Sequence, residues 1–200
     1  MVLFAAIIVL TGSPSFVTPL LIAQEWGSEV WLLTALELAF SIGMLLGGVA
    51  VSTLLAKRSR IRLIVLSSFG FGVFSLGLGL APQLWAFYAL MFLFGAMIPI
   101  FSAPFMTLLQ EAVPPEMQGR VFSYVTIVMA LSFPLGMVAF GPIADAFGVR
   151  ALLVGTGLLA LAVTGVAVLV PSGRSAMRAA EASTSPAEAV AQVEAEVDAG

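Results

Sequence analysis

Glu37 is the residue of this chain best placed to do chemistry. It is the one acid well inside a long apolar stretch, six residues on from Trp31. If that stretch is a membrane helix with Trp31 at the interface, a rise of about 1.5 Å per residue puts Glu37 about 9 Å deep. A carboxylate there is expensive, shifts towards its neutral form, and is able to load and release a proton or to meet a substrate. The competing reading is that local tilt carries it to the outer water. A second set of candidates is carried by "SPSFVTPLL", where Pro14 and Pro19 stand five residues apart with Ser13, Ser15, Thr18 and Phe16 around them. The pattern returns as "IPIFSAPFM", with Pro99, Phe101, Ser102 and Pro104, and Thr107 shortly after. Their hydroxyls offer hydrogen bonds to a passing molecule, although each can instead bond its own backbone four residues back, which is the simpler reading for any single one.

The inventory excludes as much as it offers. Histidine and cysteine are both absent, which removes the commonest metal ligand and proton shuttle, any thiolate and any disulfide. Acids are not clustered for a metal, and no serine sits in a Gly-x-Ser-x-Gly setting, so an intramembrane enzyme fails on inventory and no cofactor or metal is expected. The net charge of -3 comes from an acidic tail, and nothing points to nucleic acid.

The elements that must position these residues are membrane helices. Of 200 residues 60% are hydrophobic and 10% charged, with a mean hydropathy of +1.12, too apolar for the surface of a soluble domain of this size. A helix needs roughly 20 apolar residues to cross a hydrocarbon core of about 30 Å. Six segments meet that length, approximately Val2 to Gln24, Val30 to Ala56, Ile61 to Ala81, Leu84 to Leu109, Val121 to Ile143 and Ala151 to Val170. A membrane barrel would show alternation, and "ALLVGTGLLALAVTGVAVLV" has none. Met1 leads straight into apolar residues with no basic region, so the first segment reads as a true span, rather than a signal peptide, whose usual lead-in is missing. The expected organisation is a six-helix bundle over 1–171 and a polar, disordered or weakly helical tail over 172–200, "SGRSAMRAAEASTSPAEAVAQVEAEVDAG".

Basic loops stay on the cytoplasmic side. With both termini inside, Lys57, Arg58, Arg60, Arg62, Arg120, Arg174 and Arg178 all lie inside and only Arg150 outside, which predicts a multi-pass plasma-membrane protein with cytoplasmic ends. Trp26 and Trp31, beside Glu25 and Glu29, suit the outer interface.

The proline pairs also order the chain. "PSFVTP" and "PIFSAP" share the form P-x-F-x-x-P at a spacing of 85, the Gln-Glu pairs that follow stand 86 apart, and Val49-Ala50 and Arg62 align with Val138-Ala139 and Arg150 at 88 to 89. Three echoes in one order at near-constant spacing indicate a duplicated unit of three helices. Three is odd, so the second copy crosses the membrane in the opposite sense, and the repeats are inverted. Inverted repeats with prolines in corresponding helices point to a transporter's binding site.

The residues themselves resemble the major facilitator superfamily, in particular the carboxy-terminal six helices of a twelve-helix transporter of macrolide-efflux or enterobactin-exporter flavour. "GPIADAFGVR" is similar to the family's G-x-x-x-D-x-x-G-x-R loop, with Gly141, Asp145, Gly148 and Arg150 on the matching positions. "VPPEMQGRVFS" is similar to the segment joining helices ten and eleven, and "SIGMLLGGV" to the Gly-rich eighth helix. The loop motif falls between the last two helices here, and the basic loop "STLLAKRSRIR" lacks its aspartate. The resemblance implies an all-α membrane fold, half of a major facilitator fold, in which the first helix of each repeat lines the central path. It implies secondary transport, export of a small molecule driven by protons, and a partner: the missing amino-terminal half or another half bundle. A non-transporting remnant or scaffold, or a half-size transporter needing a partner, is the alternative.

On that basis Ser13, Pro14, Phe16, Thr18, Pro19, Pro99, Phe101, Ser102 and Pro104 are expected to line the cavity or gate it, against the simpler reading that the prolines bend helices for packing. Glu37 is the candidate for proton coupling. Gly43 and Gly47 form a GxxxG pair, with Gly48 beside it, for helix packing. Met97, Met106 and Phe133 are assigned to packing, with an apolar substrate lining as the functional version. Asp145 and Arg150 are placed to pair at the outer end of the last two helices, and Arg120 to snorkel at the inner interface.

Overall fold

A computed structural model describes residues 17–27, 29–55 and 58–169. Ser13, Pro14, Ser15, Phe16 and the tail from 172 lie outside them. The expected first span, Val2 to Gln24, falls mostly outside as well, and its end, 17–25, is helical (α1). It is followed by α2 (Val30–Thr53), α3 (Arg60–Leu80), α4 (Leu84–Ala112), α5 (Pro115–Phe147) and α6 (Val149–Leu169). The last five are each long and apolar enough to cross a membrane.

The expected spans match these helices closely, with one exception. The expected fifth span begins at Val121, whereas α5 begins at Pro115. Proline is favoured at the first helical position, where its missing N–H costs nothing. The Gln118 amide then donates to the Gln110 and Val113 carbonyls, 3.1 Å each, tying the early start of α5 to the end of α4. The far end of α5 is closed by Gly148, whose φ of 85° only glycine adopts readily and whose N–H bonds the Ala144 carbonyl. Pro99 and Pro104 in α4, and Pro134 and Pro142 in α5, lie inside continuous helices. A proline removes one ladder bond, and neighbouring helices can absorb that loss in a membrane.

The ends of the helices gather at two opposite ends of the bundle. One carries the α2–α3 and α4–α5 connections and the end of α6, with Arg58, Arg60, Arg62 and Arg120. The other carries all three tryptophans, Trp26, Trp31 and Trp85, with Glu25, Glu29 and Arg150. Tryptophan prefers the level of the headgroups, which suits this distribution. Between the ends, α2 packs against α4, and α3 packs against both α4 and α6. The core is built from Leu21, Ile22, Leu36, Leu78, Phe87, Phe94 and Leu153. Phe71 leans on Phe94 and Phe101, with ring centroids 5.2 and 6.0 Å apart. Helix α5 leans on α6 and is the least buried of the five spans.

Two crossings hold this arrangement. Helices α2 and α4 run side by side in the same direction: the Tyr88 hydroxyl donates to the Leu32 carbonyl at 3.0 Å, and further along Gly47 meets Ala96 and Pro99. A methyl group at Gly43 would collide with the Phe92 carbonyl, and one at Gly47 with the Ala96 backbone. Gly48, the third glycine of the expected packing set, faces open space and takes no part. Helices α3 and α6 run antiparallel and cross where Gly72 faces Gly157. A Cβ on either would lie about 3 Å from the other's carbonyl oxygen (3.1 and 2.9 Å), and Ser75 donates to the Leu153 carbonyl at 3.0 Å beside them. Lipid tails are as apolar as leucine, so such contacts, rather than a hydrophobic drive, hold membrane helices together.

Each end of the bundle is closed by an ion pair. At the tryptophan end Arg150, at the start of α6, binds Glu25, at the end of α1, through two hydrogen bonds, and also donates to the Gly79 carbonyl at 3.3 Å. The expected Asp145–Arg150 pair is therefore replaced by Glu25–Arg150. Asp145 lies on the exposed side of α5, beyond the Gly148 turn. At the basic end Arg60, at the start of α3, binds Glu111, at the end of α4.

Two outcomes test this packing. Gly47→Val is expected to destabilise the protein by about 1–3 kcal/mol, the usual cost of overpacking, whereas Gly48→Ala stays within about 0.5 kcal/mol of the parent; thermal unfolding in detergent separates them, and equal behaviour would remove the α2–α4 crossing. For the tryptophan end, Glu25→Gln is expected to cost about 0.5–1 kcal/mol at neutral pH, since the partners are 30% and 37% exposed. The hydrogen bond from Arg150 holds the Glu25 carboxyl below its ordinary value. A carboxyl so lowered contributes fully above its ordinary pKa and loses the contribution as pH falls through the lowered one. The stability gap between parent and Glu25→Gln should therefore close on titration from about pH 7 towards about pH 3, and a gap of constant size would deny the pair its role.

Candidate functional site

Of the residues singled out in the sequence, those of α4 pack inward. Phe101 and Pro104 are buried, and Pro99 and Ser102 are half-buried. Phe101 stacks on Phe105, with parallel rings 6.0 Å apart, and meets Phe71 edge-on, so it belongs to the core of the bundle. Pro99 lies against Gly47 of α2, which joins the proline-bearing segment to the glycine pair. On α1, Thr18 is fully buried and Pro19 half-buried. Thr107 bonds the Ala103 carbonyl four residues back, at 2.9 Å, the self-satisfied arrangement. Met97 fills the space over Gly70. Helix α4 thus holds its candidates between α2 and α3, with little of them on the outer surface.

The exposed chemistry lies elsewhere. Glu37 is on the exposed side of α2, next to Leu36, which is fully buried. At 100° per residue Thr34, Glu37, Ser41, Gly48 and Ser52 share one face of that helix, and all but the half-buried Gly48 are exposed. The face is polar or small along the length of the helix, interrupted by Met44 and Leu45. Helix α5 carries the corresponding feature. Gly119, Ser123, Thr126, Ala130, Pro134, Gly141 and Asp145 fall on one side of it, and all are exposed, with the positions of Ile127 and Met137 interrupting the stripe at the same angles. Two of the four loop-motif residues, Gly141 and Asp145, therefore belong to this small and polar face, while Gly148 makes the turn and Arg150 the ion pair.

Hydrocarbon does not solvate a carboxylate or a row of hydroxyls. A long stripe of small residues, in turn, suits close approach of another helix. The two stripes are the polar or small faces that α2 and α5 turn outward, beside exposed apolar side chains of the same helices. Sequence reasoning picked out Glu37, Gly141 and Asp145 singly and missed that they lie on two long faces. A helical-face count of the hydroxyl and glycine positions in α2 and α5 was the signal available. It also noted Glu25 and Glu111 as part of the repeat without finding their partners, because Arg150 and Arg60 lie 125 and 51 residues away from them.

The described residues contain no group of three or more acids that would hold a metal ion. The described residues offer hydroxyls, one carboxylate within an apolar helix, and apolar surface.

Comparison with known proteins agrees with this assignment. The model of the Major Facilitator Superfamily matches residues 1–194. The chain is 34% identical over 131 residues to macrolide efflux protein A of Streptococcus pyogenes, covering 64% of this chain and 32% of that protein. It is 35% identical over 103 residues to macrolide efflux protein A of Enterococcus faecalis, covering 50% of this chain and 32% of that one. With the multidrug efflux pump Tap of Mycolicibacterium fortuitum it shares 29% identity over 145 residues, 70% of this chain and 34% of that protein. The matched region spans about a third of the length of each of these relatives. The family match over nearly the whole chain, on top of five helices long and apolar enough to cross a membrane, makes this protein a member of the Major Facilitator Superfamily.

Proposed function

We propose that this chain is one six-helix half of a secondary transporter that exports a small organic molecule in exchange for protons. The observation that carries the reading is the pair of polar and small-residue faces on α2 and α5, with Glu37 exposed on the first. A lone bundle would turn those faces to lipid. A second six-helix bundle docked against them would complete a cavity near the midplane, and rocking of the two bundles would alternate access to it. In this reading Glu37 loads a proton from the outer water and releases it inward as the substrate leaves. The relatives' names support an apolar organic substrate of macrolide size. In this reading Thr18 and Pro19 of α1 and the segment from Pro99 to Pro104 of α4 flank the cavity and transmit its movement.

The inverted repeat is part of the same proposal. Glu25 and Glu111 stand 86 residues apart, and each binds an arginine at the start of a helix, Arg150 and Arg60, at opposite ends of the bundle. Gly72 and Gly157 stand 85 apart and face each other reciprocally. Two copies of a three-helix unit, turned about an axis in the membrane plane, would produce both relations. The basic end then faces the cytoplasm, both termini lie inside the plasma membrane, the bundle covers 1–171 and the tail 172–200 extends from it.

The test is export from a bacterium lacking its own efflux pumps. The chain alone should leave macrolide accumulation unchanged, and the complete reading frame, or the chain with its partner half, should lower it several-fold. In the active assembly Glu37→Gln should lose at least tenfold of proton-driven export while still reaching the membrane. Full export by that variant would remove Glu37 from coupling, and export by the chain alone would point to paired copies of this half.

A further inference from the structure

A groove on the outer side of the bundle has no role in that scheme. It lies between the start of α3 and the end of α6, at the basic end, and encloses about 530 Å³. Val65, Leu66 and Phe69 form one wall, Gly165 and Val168 the other, and Arg62 stands at its mouth. Leu66 and Phe69 are 60% and 51% exposed, so the groove opens sideways to the bilayer. Neither helix carries the polar faces of α2 and α5.

The groove is built for an amphiphile. Its walls are hydrocarbon, and from Ile61 to Phe69 it reaches about 12 Å along α3 at 1.5 Å per residue, within one leaflet of a core of about 30 Å. Cationic charge stands at its mouth: Arg62 lines it and the exposed Arg58 precedes α3, while Arg60 is held by Glu111 of α4. Inside sits a polar atom without a partner. Thr164 is 5% exposed and lines the groove, and its hydroxyl makes no hydrogen bond within the protein. A buried hydroxyl left unpaired is costly, and most threonines in helices avoid it by bonding back to their own helix. Thr164 lies four residues from Val168, about 6 Å deeper along α6.

We infer that this groove holds one anionic diacyl phospholipid, its phosphate at Arg62, an ester carbonyl accepting from the Thr164 hydroxyl, and an acyl chain along Val65, Leu66 and Phe69. A basic pocket between membrane helices at the cytoplasmic side is the arrangement that selects acidic headgroups over zwitterionic ones. A transported apolar molecule would not account for the cationic mouth, and free phosphate would not account for the walls.

Dioleoylphosphatidylglycerol and dioleoylphosphatidylcholine are the probes, titrated onto the full chain in detergent and read by native mass spectrometry. One phosphatidylglycerol should be retained per chain, with an affinity about tenfold above that for phosphatidylcholine. Arg62→Gln should remove that preference, and Thr164→Val should weaken both lipids two- to fivefold. Gly165→Leu supplies a variant that fills the groove without disturbing the fold, because a Cβ at Gly165 meets no atom within 4 Å. It should lose retained lipid about tenfold with unchanged thermal unfolding in lipid-free detergent. Equal retention of the two lipids, undiminished retention by Gly165→Leu, or no lipid on any version because residues 170–200 occupy the groove would each overturn the assignment.

Discussion

Close backbone approach at glycine is the constraint on which the rest of this bundle depends. In hydrocarbon there is no solvent to expel from between two helices, so their attraction comes from dispersion and from the few hydrogen bonds that tight contact allows. Gly43 and Gly47 set α2 against the Phe92–Pro99 stretch of α4, and Gly72 and Gly157 set α3 against α6. Once those distances are short, the Tyr88 hydroxyl reaches the Leu32 carbonyl and Ser75 reaches the Leu153 carbonyl. The aromatic core around Phe71, Phe94 and Phe101 fills what remains.

The same crossings decide what the bundle leaves uncovered. Helix α4 is held between α2 and α3, so Phe101 and Pro104 are buried within the bundle and Pro99 is half-buried. Helices α2 and α5 each turn a polar or small face outward, and α5 has little else to hold it. A membrane protein places polar surface only where water or protein meets it. The two ion pairs add register rather than much energy, since their partners are substantially exposed. They pin the ends of α1 and α6, and of α3 and α4, so that the crossings between them stay in place.

Much of this was legible in the chain. Apolar length marked the spans to within a few residues, because hydrocarbon thickness sets a minimum that composition alone reveals. The fifth helix was misjudged at its start because Glu116 and Gln118 are too polar to count as a span, although both are sound helix formers, Pro115 is tolerated at the first helical position, and Gln118 ties the turn to α4. The GxxxG pair was read correctly for Gly43 and Gly47 and not for Gly48, since adjacency in sequence turns a residue about 100° around the helix and away from the partner. The prolines inside α4 leave it continuous, as its unbroken apolar length indicates, since neighbouring helices can absorb the lost ladder bonds.

By itself, then, the sequence determined that this is a helical membrane protein, where its spans lie, which end of it is basic, and that its inventory is unsuited to catalysis. Those properties follow from composition and periodicity, which are summed along the chain. Only the tertiary structure decided that Arg150 binds Glu25 and not Asp145, that the face of α2 bearing Glu37 is turned outward, and that Thr164 is buried without a partner in a groove that Arg62 also lines. The reason is physical: a charge or a hydroxyl finds its partner by distance in space, and helices that cross at glycine bring together residues about a hundred positions apart.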